Sequence, residues 1–270
     1  MKSHLCIFLW LVTISHCYGG FERVEGGARA VCLGGAFAGL ADDGWAIFYN
    51  PAGLARLHFP ELGIFYSPQP FALPELKSFS FVFVYPTGIG SFGASARSFG
   101  FQLYREFSSS LAYANEFSGI TGGVNFNYHS VSILNYGSAG TIGIDVGLLI
   151  PVLRNLRLGI AAHNVNGPTI GSSAEKLPQT FVSGISYQPL DGLCLVFDYQ
   201  KEVGFPASPK FGFEYHVIDE VALLGGVADE PSTYAAGIGI RYLFFQMNYG
   251  FTTHQDLGLT HQASLTLRWM

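Results

Sequence analysis

Charged residues are scarce in this chain. Of its 270 residues, 12% are charged, 49% are hydrophobic and 15% are aromatic. An ordinary soluble domain carries roughly 25% charged residues, about twice this share. The formal net charge is -5, and Lys and Arg form no cluster anywhere in the sequence. Because a nucleic-acid-binding surface needs a basic patch, that class of function is excluded.

Long apolar runs are also missing beyond the N-terminus. Lys2 precedes an apolar run from Leu5 to Ile14, and small and polar residues follow it. This is the layout of a secretory signal, and the run is too short to span a bilayer. We therefore predict a signal peptide over residues 1–20, with cleavage after Gly19 or Gly20. No later stretch approaches the roughly 18 apolar residues of a transmembrane helix.

Cysteine is too rare to define a disulfide framework. Cys6 and Cys17 lie in the predicted signal, so the mature chain keeps Cys32 and Cys194, whose pairing stays open here. Cys17 could instead accept a lipid anchor, but His16 stands before it, where a small residue is normally required. We therefore favour removal of Cys17 with the signal.

Apolar residues alternate with small or polar ones along much of the chain. Phe211, Phe213 and Tyr215 alternate with Gly212 and Glu214, for example. A hydrophobic chain without transmembrane helices can enter a membrane only as a closed barrel, whose strands show this period. About fourteen such segments occur, near 60–67, 77–86, 89–98, 102–117, 119–130, 141–150, 154–164, 179–188, 191–201, 208–217, 220–228, 232–241, 243–251 and 261–270. An even count is what a single-chain bacterial barrel requires.

The connections between these segments alternate in length. Links after the second, fourth, sixth, eighth and tenth segments are tight, whereas those over Asn164–Pro178 and Thr252–Thr260 are long. Outer-membrane barrels have short periplasmic turns and longer outer loops. The predicted fold is therefore an all-β, transmembrane, antiparallel up-and-down barrel over residues 58–270. It would lie in outer-membrane lipid of a bacterial cell, with both termini periplasmic.

The segment before the first strand, residues 21–57, does not alternate. It is rich in Gly and Ala, which makes short, marginal helices plausible, and Asn50 before Pro51 indicates a helix end or turn. A compact segment of small residues suits packing inside a barrel. We predict that it forms a plug in the lumen, and the alternative is an N-terminal arm in the periplasm.

Several motifs in this segment resemble the N-terminal signature of the PorV/PorQ family, relatives of the FadL-type long-chain fatty-acid transporters. They are Gly27-Ala28-Arg29-Ala30, Gly34-Gly35-Ala36-Phe37, Ala41-Asp42-Asp43 and Asn50-Pro51-Ala52-Gly53-Leu54. The similarity continues through Asn164, Gly212-Phe213-Glu214-Tyr215 and the sequence from Asp256 to Leu265. It implies a fourteen-stranded outer-membrane barrel with an N-terminal hatch. The chain is short for a FadL transporter, and Met270 stands where such barrels commonly close on an aromatic residue.

Candidate functional residues fall in two sets. The plug motif comprises Asp42, Asp43, Asn50, Pro51, Ala52 and Gly53. Asp42 and Asp43 are expected to cap or tether the plug through backbone N–H groups or an inward arginine such as Arg157, Arg241 or Arg268. Two adjacent carboxylates alone supply too few oxygens for a calcium site. The second set is expected to face the lumen: Asp145, Arg157, His163, Asp198, Glu214, Arg241 and Arg268.

No catalytic residue, metal or cofactor is predicted. The eight histidines show no metal-site spacing, and His254, Asp256 and His261 fall in a predicted outer loop. Lumen polarity accounts for His129, His163 and His216. No nucleophile-elbow pattern surrounds Ser109, Ser183 or Ser186, so the chain is not expected to be an enzyme.

Two functions remain. One is a PorV-like barrel that serves type IX-like protein secretion by docking secretion-machinery proteins or exported cargo. The alternative is a FadL-like passive transporter of hydrophobic small molecules. The inward rows are mostly Gly, Ser, Asn and charged residues, whereas lipid-like cargo prefers apolar walls. The sequence alone therefore favours the secretion role.

Overall fold

The computed structural model describes residues 20–21, 26–70, 73, 75–254 and 258–269. Nearly all of the predicted signal peptide (residues 1–19) and Asp256 lie outside the described residues. One antiparallel sheet closes on itself into a barrel of fourteen strands, which confirms the predicted fold class. In the part of the chain that is described, no helix is long and apolar enough to cross a membrane.

Strands β1–β7 and β10–β16 form the barrel, and β8 and β9 pair with each other as a short ribbon in the loop after β7. The bounds are β1 (Glu61–Ser67), β2 (Lys77–Thr87), β3 (Gly90–Gly100), β4 (Tyr104–Phe117), β5 (Ile120–Ile133), β6 (Gly137–Leu153), β7 (Leu156–His163), β8 (Thr169–Ile170), β9 (Glu175–Lys176), β10 (Thr180–Leu190), β11 (Leu193–Glu202), β12 (Ala207–Ile218), β13 (Val221–Ala228), β14 (Thr233–Tyr242), β15 (Phe245–His254) and β16 (Gly258–Arg268).

The two ends of the barrel differ in their connections. At one end, the turn end, every link has two residues: 88–89, 118–119, 154–155, 191–192, 219–220 and 243–244. At the other, the loop end, link lengths vary, and the longest link runs over residues 164–179. The long loop predicted from Thr252 to Thr260 is wrong, because these two residues are paired in the β15–β16 ladder. That ladder continues to the pair His254–Gly258.

Alternation sets which side chains face out. On β12, Phe213 is exposed on the outside of the barrel, whereas Glu214 is buried in the lumen. Strand β6 is longer than the predicted segment at both ends, since it pairs with β5 up to Ile133–Gly137 at the loop end. The extra residues at the loop end, such as Ser138 and Gly140, carry no hydrophobic alternation that would reveal a strand.

Residues 26–57, here called the plug, lie inside the barrel and not beside it. They form a five-residue helix α1 (Ala28–Cys32) and two 3₁₀ helices, Gly44–Phe48 and Pro51–Arg56. Polar side chains begin both 3₁₀ helices: Asp43 accepts the N–H of Trp45, and Asn50 accepts that of Ala52. The apolar core of the protein is the packing of this segment against the wall, with Trp45 fully buried.

Candidate functional site in the plugged lumen

One buried arginine ties the plug together and to the wall. Arg29 of α1 donates to Asp42 through Nη1 (2.6 Å) and to Asp43 (3.1 Å). Its Nε and Nη2 both reach Oε2 of Glu214 on β12, at 2.8 Å and 2.7 Å. The Arg29 side chain is only 7% exposed. We expected an inward arginine such as Arg157, Arg241 or Arg268 to be the partner of Asp42 and Asp43. That choice is wrong, because α1 places Arg29 of the plug itself beside both carboxylates.

The charges in this cluster stabilise one another. Burial alone would raise the pKa of Asp42, but the Arg29 guanidinium outweighs it and lowers that pKa to about 2. Burial also opposes the charge on Arg29, yet Asp42, Glu214 and Asp43 raise its pKa well above the usual value. The Arg29–Asp42 pair is therefore ionised at neutral pH and holds the plug electrostatically.

The three arginines predicted for this role lie elsewhere at the turn end. Arg268 pairs with Glu61 through Nε and Oε1 (2.5 Å), and Glu61 also accepts the N–H of Gly44 in the plug (2.7 Å). Arg157 reaches Ser186 Oγ at 3.5 Å. Arg241 is exposed at the turn-end rim. Arg268 thus supports the plug through Glu61, as a second link between plug and wall.

Two further polar side chains bind the plug backbone. Asp198 on β11 accepts the N–H groups of Phe37 (2.9 Å) and Ala38 (2.8 Å) through Oδ2. Asn50 in the plug donates from Nδ2 to the carbonyls of Ala38 (2.9 Å) and Leu148 (3.0 Å). Buried backbone N–H and carbonyl groups need hydrogen-bond partners, and these two side chains provide them. Asp198 and Asn50, both named from the sequence, are thereby placed at the interface between plug and wall.

Inward glycines let the plug backbone touch the wall. A Cβ at Gly147 would overlap the Asn50 side chain, and a Cβ at Gly123 would overlap the backbone of Pro51 and Ala52. The same holds at other inward positions around the ring: Gly159, Gly184, Gly212 and Gly226. Sequence reasoning treated these glycines only as members of a polar inward row. Their regular occurrence on one face was the available signal that something packs against that face.

A separate polar network lies nearer the loop end. Asp145 on β6 accepts from the Asn164 N–H (2.8 Å) and from Asn127 Nδ2 (2.7 Å), and His163 Nδ1 lies 3.5 Å from its Oδ2. Asn164 in turn donates from Nδ2 to the carbonyl of Pro178 (2.8 Å). Asp145 and His163, both predicted to face the lumen, therefore fasten the two ends of the loop over residues 164–179.

This loop covers a small apolar cluster of side chains at the loop end. Ile170 and Leu177 from the loop are buried against Phe21, and Val131 and Ala139 on β5 and β6 pack on them. The Phe21 ring meets the His129 ring edge-on at 5.2 Å between centroids. Sequence reasoning missed Phe21, because a single aromatic residue after two glycines carries no periodic signal.

The position of Phe21 also affects the predicted topology. Strand β1 begins and β16 ends at the turn end, which fits a barrel whose ends share one side. Phe21, however, lies at the loop end.

The turn end contains a cavity of about 450 Å³ between the plug and the rim. Its walls include Arg29, Asp42, Glu214, His216 and Arg241, so they are mainly polar and charged. Cys194 also lines it, but Cys194 and Cys32 are both free thiols in the structure and do not pair. The lumen thus has a small apolar cluster beside a polar network toward the loop end, and a charged cavity at the turn end.

Comparison with known proteins places this architecture among the FadL-like barrels. No protein-family model matches the chain. A UPF0164 protein of Treponema pallidum (strain Nichols) is 23% identical over 291 residues, which cover 92% of this chain and 68% of that protein.

Solved structures resemble the chain over nearly its whole length. The toluene transporter TbuX of Ralstonia pickettii has a TM-score of 0.67 at 15% identity, over 93% of this chain and 100% of that one. The CymD monoaromatic hydrocarbon channel has a TM-score of 0.69 at 12% identity, over 93% and 99%. A Pseudomonas aeruginosa FadL homologue has a TM-score of 0.59 at 12% identity, over 91% and 96%. At these identities the likeness shows the fold alone, a barrel similar to that of FadL-like proteins, and none of these relatives is named as PorV or PorQ.

Proposed function

We propose that this chain is an outer-membrane channel that admits small hydrophobic molecules by passive diffusion. The observation that carries the proposal is the enclosed apolar cluster of Ile170, Leu177 and Phe21 at the loop end of a plugged lumen. Small-molecule sites are enclosed and mostly apolar, with a few polar groups at the edge, as His129 and Glu106 stand beside Phe21 here. Neighbours in fold that are named as a toluene transporter and a monoaromatic hydrocarbon channel support the same reading.

The proposed location follows from the outer surface of the barrel. Outward side chains such as Phe79, Tyr85, Phe213 and Tyr215 are exposed on the outside of the barrel. Contact of these side chains with water would be unfavourable, whereas contact with lipid is favourable. Short turns face the periplasm in barrels of this kind. We therefore propose that the turn end faces the periplasm and that the apolar cluster lies toward the cell surface.

The polar inward rows, which favoured a secretion role at first, have another use. Asp198 binds the plug backbone, Glu214 binds Arg29, and Asp145 fastens the long loop. These side chains bind other parts of the same chain, and of the three only Glu214 also lines the turn-end cavity. Their polarity therefore no longer argues against hydrophobic cargo, and docking of secretion partners becomes the competing outcome of the experiment.

The experiment measures uptake of radiolabelled toluene at low concentration by cells that lack their own hydrocarbon channels. The protein should raise the uptake rate, and Leu177→Glu should remove most of the gain, since a carboxylate in an apolar cluster is strongly disfavoured. Ser172→Glu, at the exposed tip of the same loop, should leave uptake unchanged. Heat-modifiable migration in SDS gels checks that each barrel has assembled.

Two results would overturn the proposal. One is uptake equal to that of cells without the protein, with the barrel assembled. The other is unchanged uptake together with loss of surface display of exported proteins when the gene is deleted, which would return the function to secretion.

A further inference from the structure

We propose that the loop over residues 164–179, here called the strap, is a gate at the loop end of the lumen and that the Asn166 side chain is its latch. The latch is a hydrogen-bonded contact between the strap and a strand edge of the barrel wall. This contact is independent of what the barrel transports, and only its effect on uptake rests on the proposed function.

The wall is incomplete on one side of β6. This strand pairs with β5 as far as the pair Ile133–Gly137, but it pairs with β7 only as far as Val146–Ala162. Along residues 137–145, β6 therefore has a barrel strand on one side only, as far as the described chain goes. A strand edge of this kind presents backbone N–H and carbonyl groups without ladder partners. The strap leaves the end of β7 next to this edge.

The Asn166 side chain takes the place of the missing strand at this edge. Its Oδ1 accepts the N–H of Ile144 (2.9 Å), and its Nδ2 donates to the carbonyl of Ile142 (2.8 Å). The N–H of Val165 donates to the carbonyl of Ile144 (2.8 Å). A single amide side chain therefore makes two bonds, one accepted and one donated, of the kind that a paired strand would make there.

The base of the strap is held in a different way from the latch. Asn164 donates its N–H to Asp145 (2.8 Å) and its Nδ2 to the carbonyl of Pro178 (2.8 Å). Gln179 donates from Nε2 to the carbonyl of Asn164 (3.0 Å). These base contacts are buried or partly buried, whereas both bonds of Asn166 are exposed to solvent. Because local opening favours regions whose hydrogen bonds are exposed to water, the strap should swing away from β6 about a base that stays closed.

The closed strap covers the apolar cluster at the loop end. Ile170 and Leu177 of the strap are buried against Phe21, and Val131 and Ala139 pack on them from the wall. These side chains pack directly on one another, so Phe21 becomes accessible to a guest molecule when Ile170 and Leu177 move out. An open strap uncovers apolar surface that a hydrophobic guest can cover in turn. The strap is therefore a barrier to uptake, and Asn166 is the residue that positions it.

The test measures how fast a cysteine under the strap reacts with a maleimide in the purified, folded protein. Leu177→Cys places the thiol there, and peptide mass spectrometry separates its reaction from that of the native cysteines. With Asn166 present, this thiol should react at least about tenfold more slowly than that of Ser172→Cys at the exposed strap tip. Adding Asn166→Ala should raise the rate about fivefold or more, because the closed state loses two hydrogen bonds.

A matched variant separates the latch from the general effect of losing an asparagine. Asn155 makes a side-chain bond of the same kind, from Nδ2 to the carbonyl of Gln188 (3.1 Å), in the turn at the opposite end of β6. Asn155→Ala should leave the rate of Leu177→Cys unchanged. Heat-modifiable migration checks that every barrel has assembled. Equal rates with and without Asn166, or a thiol of Leu177→Cys as reactive as that of Ser172→Cys, would overturn the proposal.

Toluene uptake by Asn166→Ala, in the otherwise native chain, distinguishes a gate from a merely structural contact. A gate that opens more often should raise uptake, whereas a structural defect would lower it. Faster thiol reaction with unchanged or lower uptake therefore overturns the gating role. Faster thiol reaction with no toluene uptake by either protein leaves the latch in place and contradicts the transport proposal instead.

Discussion

Replacing Arg29 with methionine removes the guanidinium that contacts Asp42, Asp43 and Glu214, while it keeps much of the length of the side chain. His216 Nε2, at 3.6 Å from Glu214, is left beside that carboxylate. Breaking a buried ion pair by removing one partner costs about 3–5 kcal/mol, because the other charge stays buried without compensation. Asp42 is 27% exposed toward the turn-end cavity, so water relieves part of this cost. We therefore take the lower value, about 3 kcal/mol, as the loss of plug binding.

That loss should be visible as leakage through the barrel. At about 1.4 kcal/mol for each factor of ten, the fraction of time for which the plug is unseated should rise roughly 100-fold. Conductance of the purified protein in a planar lipid bilayer measures this fraction, since an unseated plug leaves a water-filled lumen. Arg154→Met, in an exposed two-residue turn, is the matched control and should conduct like the wild type. Equal conductance of Arg29→Met and wild type, with both barrels assembled, would refute the role of this cluster in holding the plug.

Three other substitutions test the plug contacts, the lipid face and the orientation. Gly123→Val should unseat the plug and raise bilayer conductance, whereas its neighbour Gly122→Val should not, because only the Cβ at Gly123 overlaps the plug backbone. Phe213→Arg should lower the yield of assembled barrel in outer-membrane fractions, since arginine toward hydrocarbon costs about 2–4 kcal/mol at the membrane midplane. A cysteine at Ser172 should react with an impermeant maleimide on intact cells and one at Asp191 should not; the reverse pattern would invert the proposed orientation.

The barrel could be predicted because its strands show a periodic alternation of apolar and polar residues. A strand with lipid on one side and the lumen on the other must alternate, and Phe211, Phe213 and Tyr215 against Gly212 and Glu214 show this directly. The two-residue turns add a second regularity. Prediction failed where the period stops, as at Thr252–Thr260, where the backbone ladder continues without an alternating apolar row.

The site was harder to predict, because its contacts join residues that no sequence period relates. Asp42 and Asp43 were recognised as tethering groups, but their partner Arg29 is identified only once α1 has a position in space. Gly212 was recognised as facing the lumen, yet only the structure shows that Leu33 packs against it. A polar lumen was also taken as evidence against hydrophobic cargo, although these polar groups bind the plug and the loop.

The pairing of β1 with β16 links closure of the ring to retention of the plug. These two strands close the ring through pairs such as Glu61–Arg268, which are among the most distant in the sequence. The plug precedes β1, yet Ala28 donates its N–H to Ser264 (3.1 Å) and Trp45 donates from Nε1 to Thr266 (3.1 Å), both on β16. The seam and these plug contacts all use β16, so a substitution that displaces β16 should open the ring and loosen the plug together.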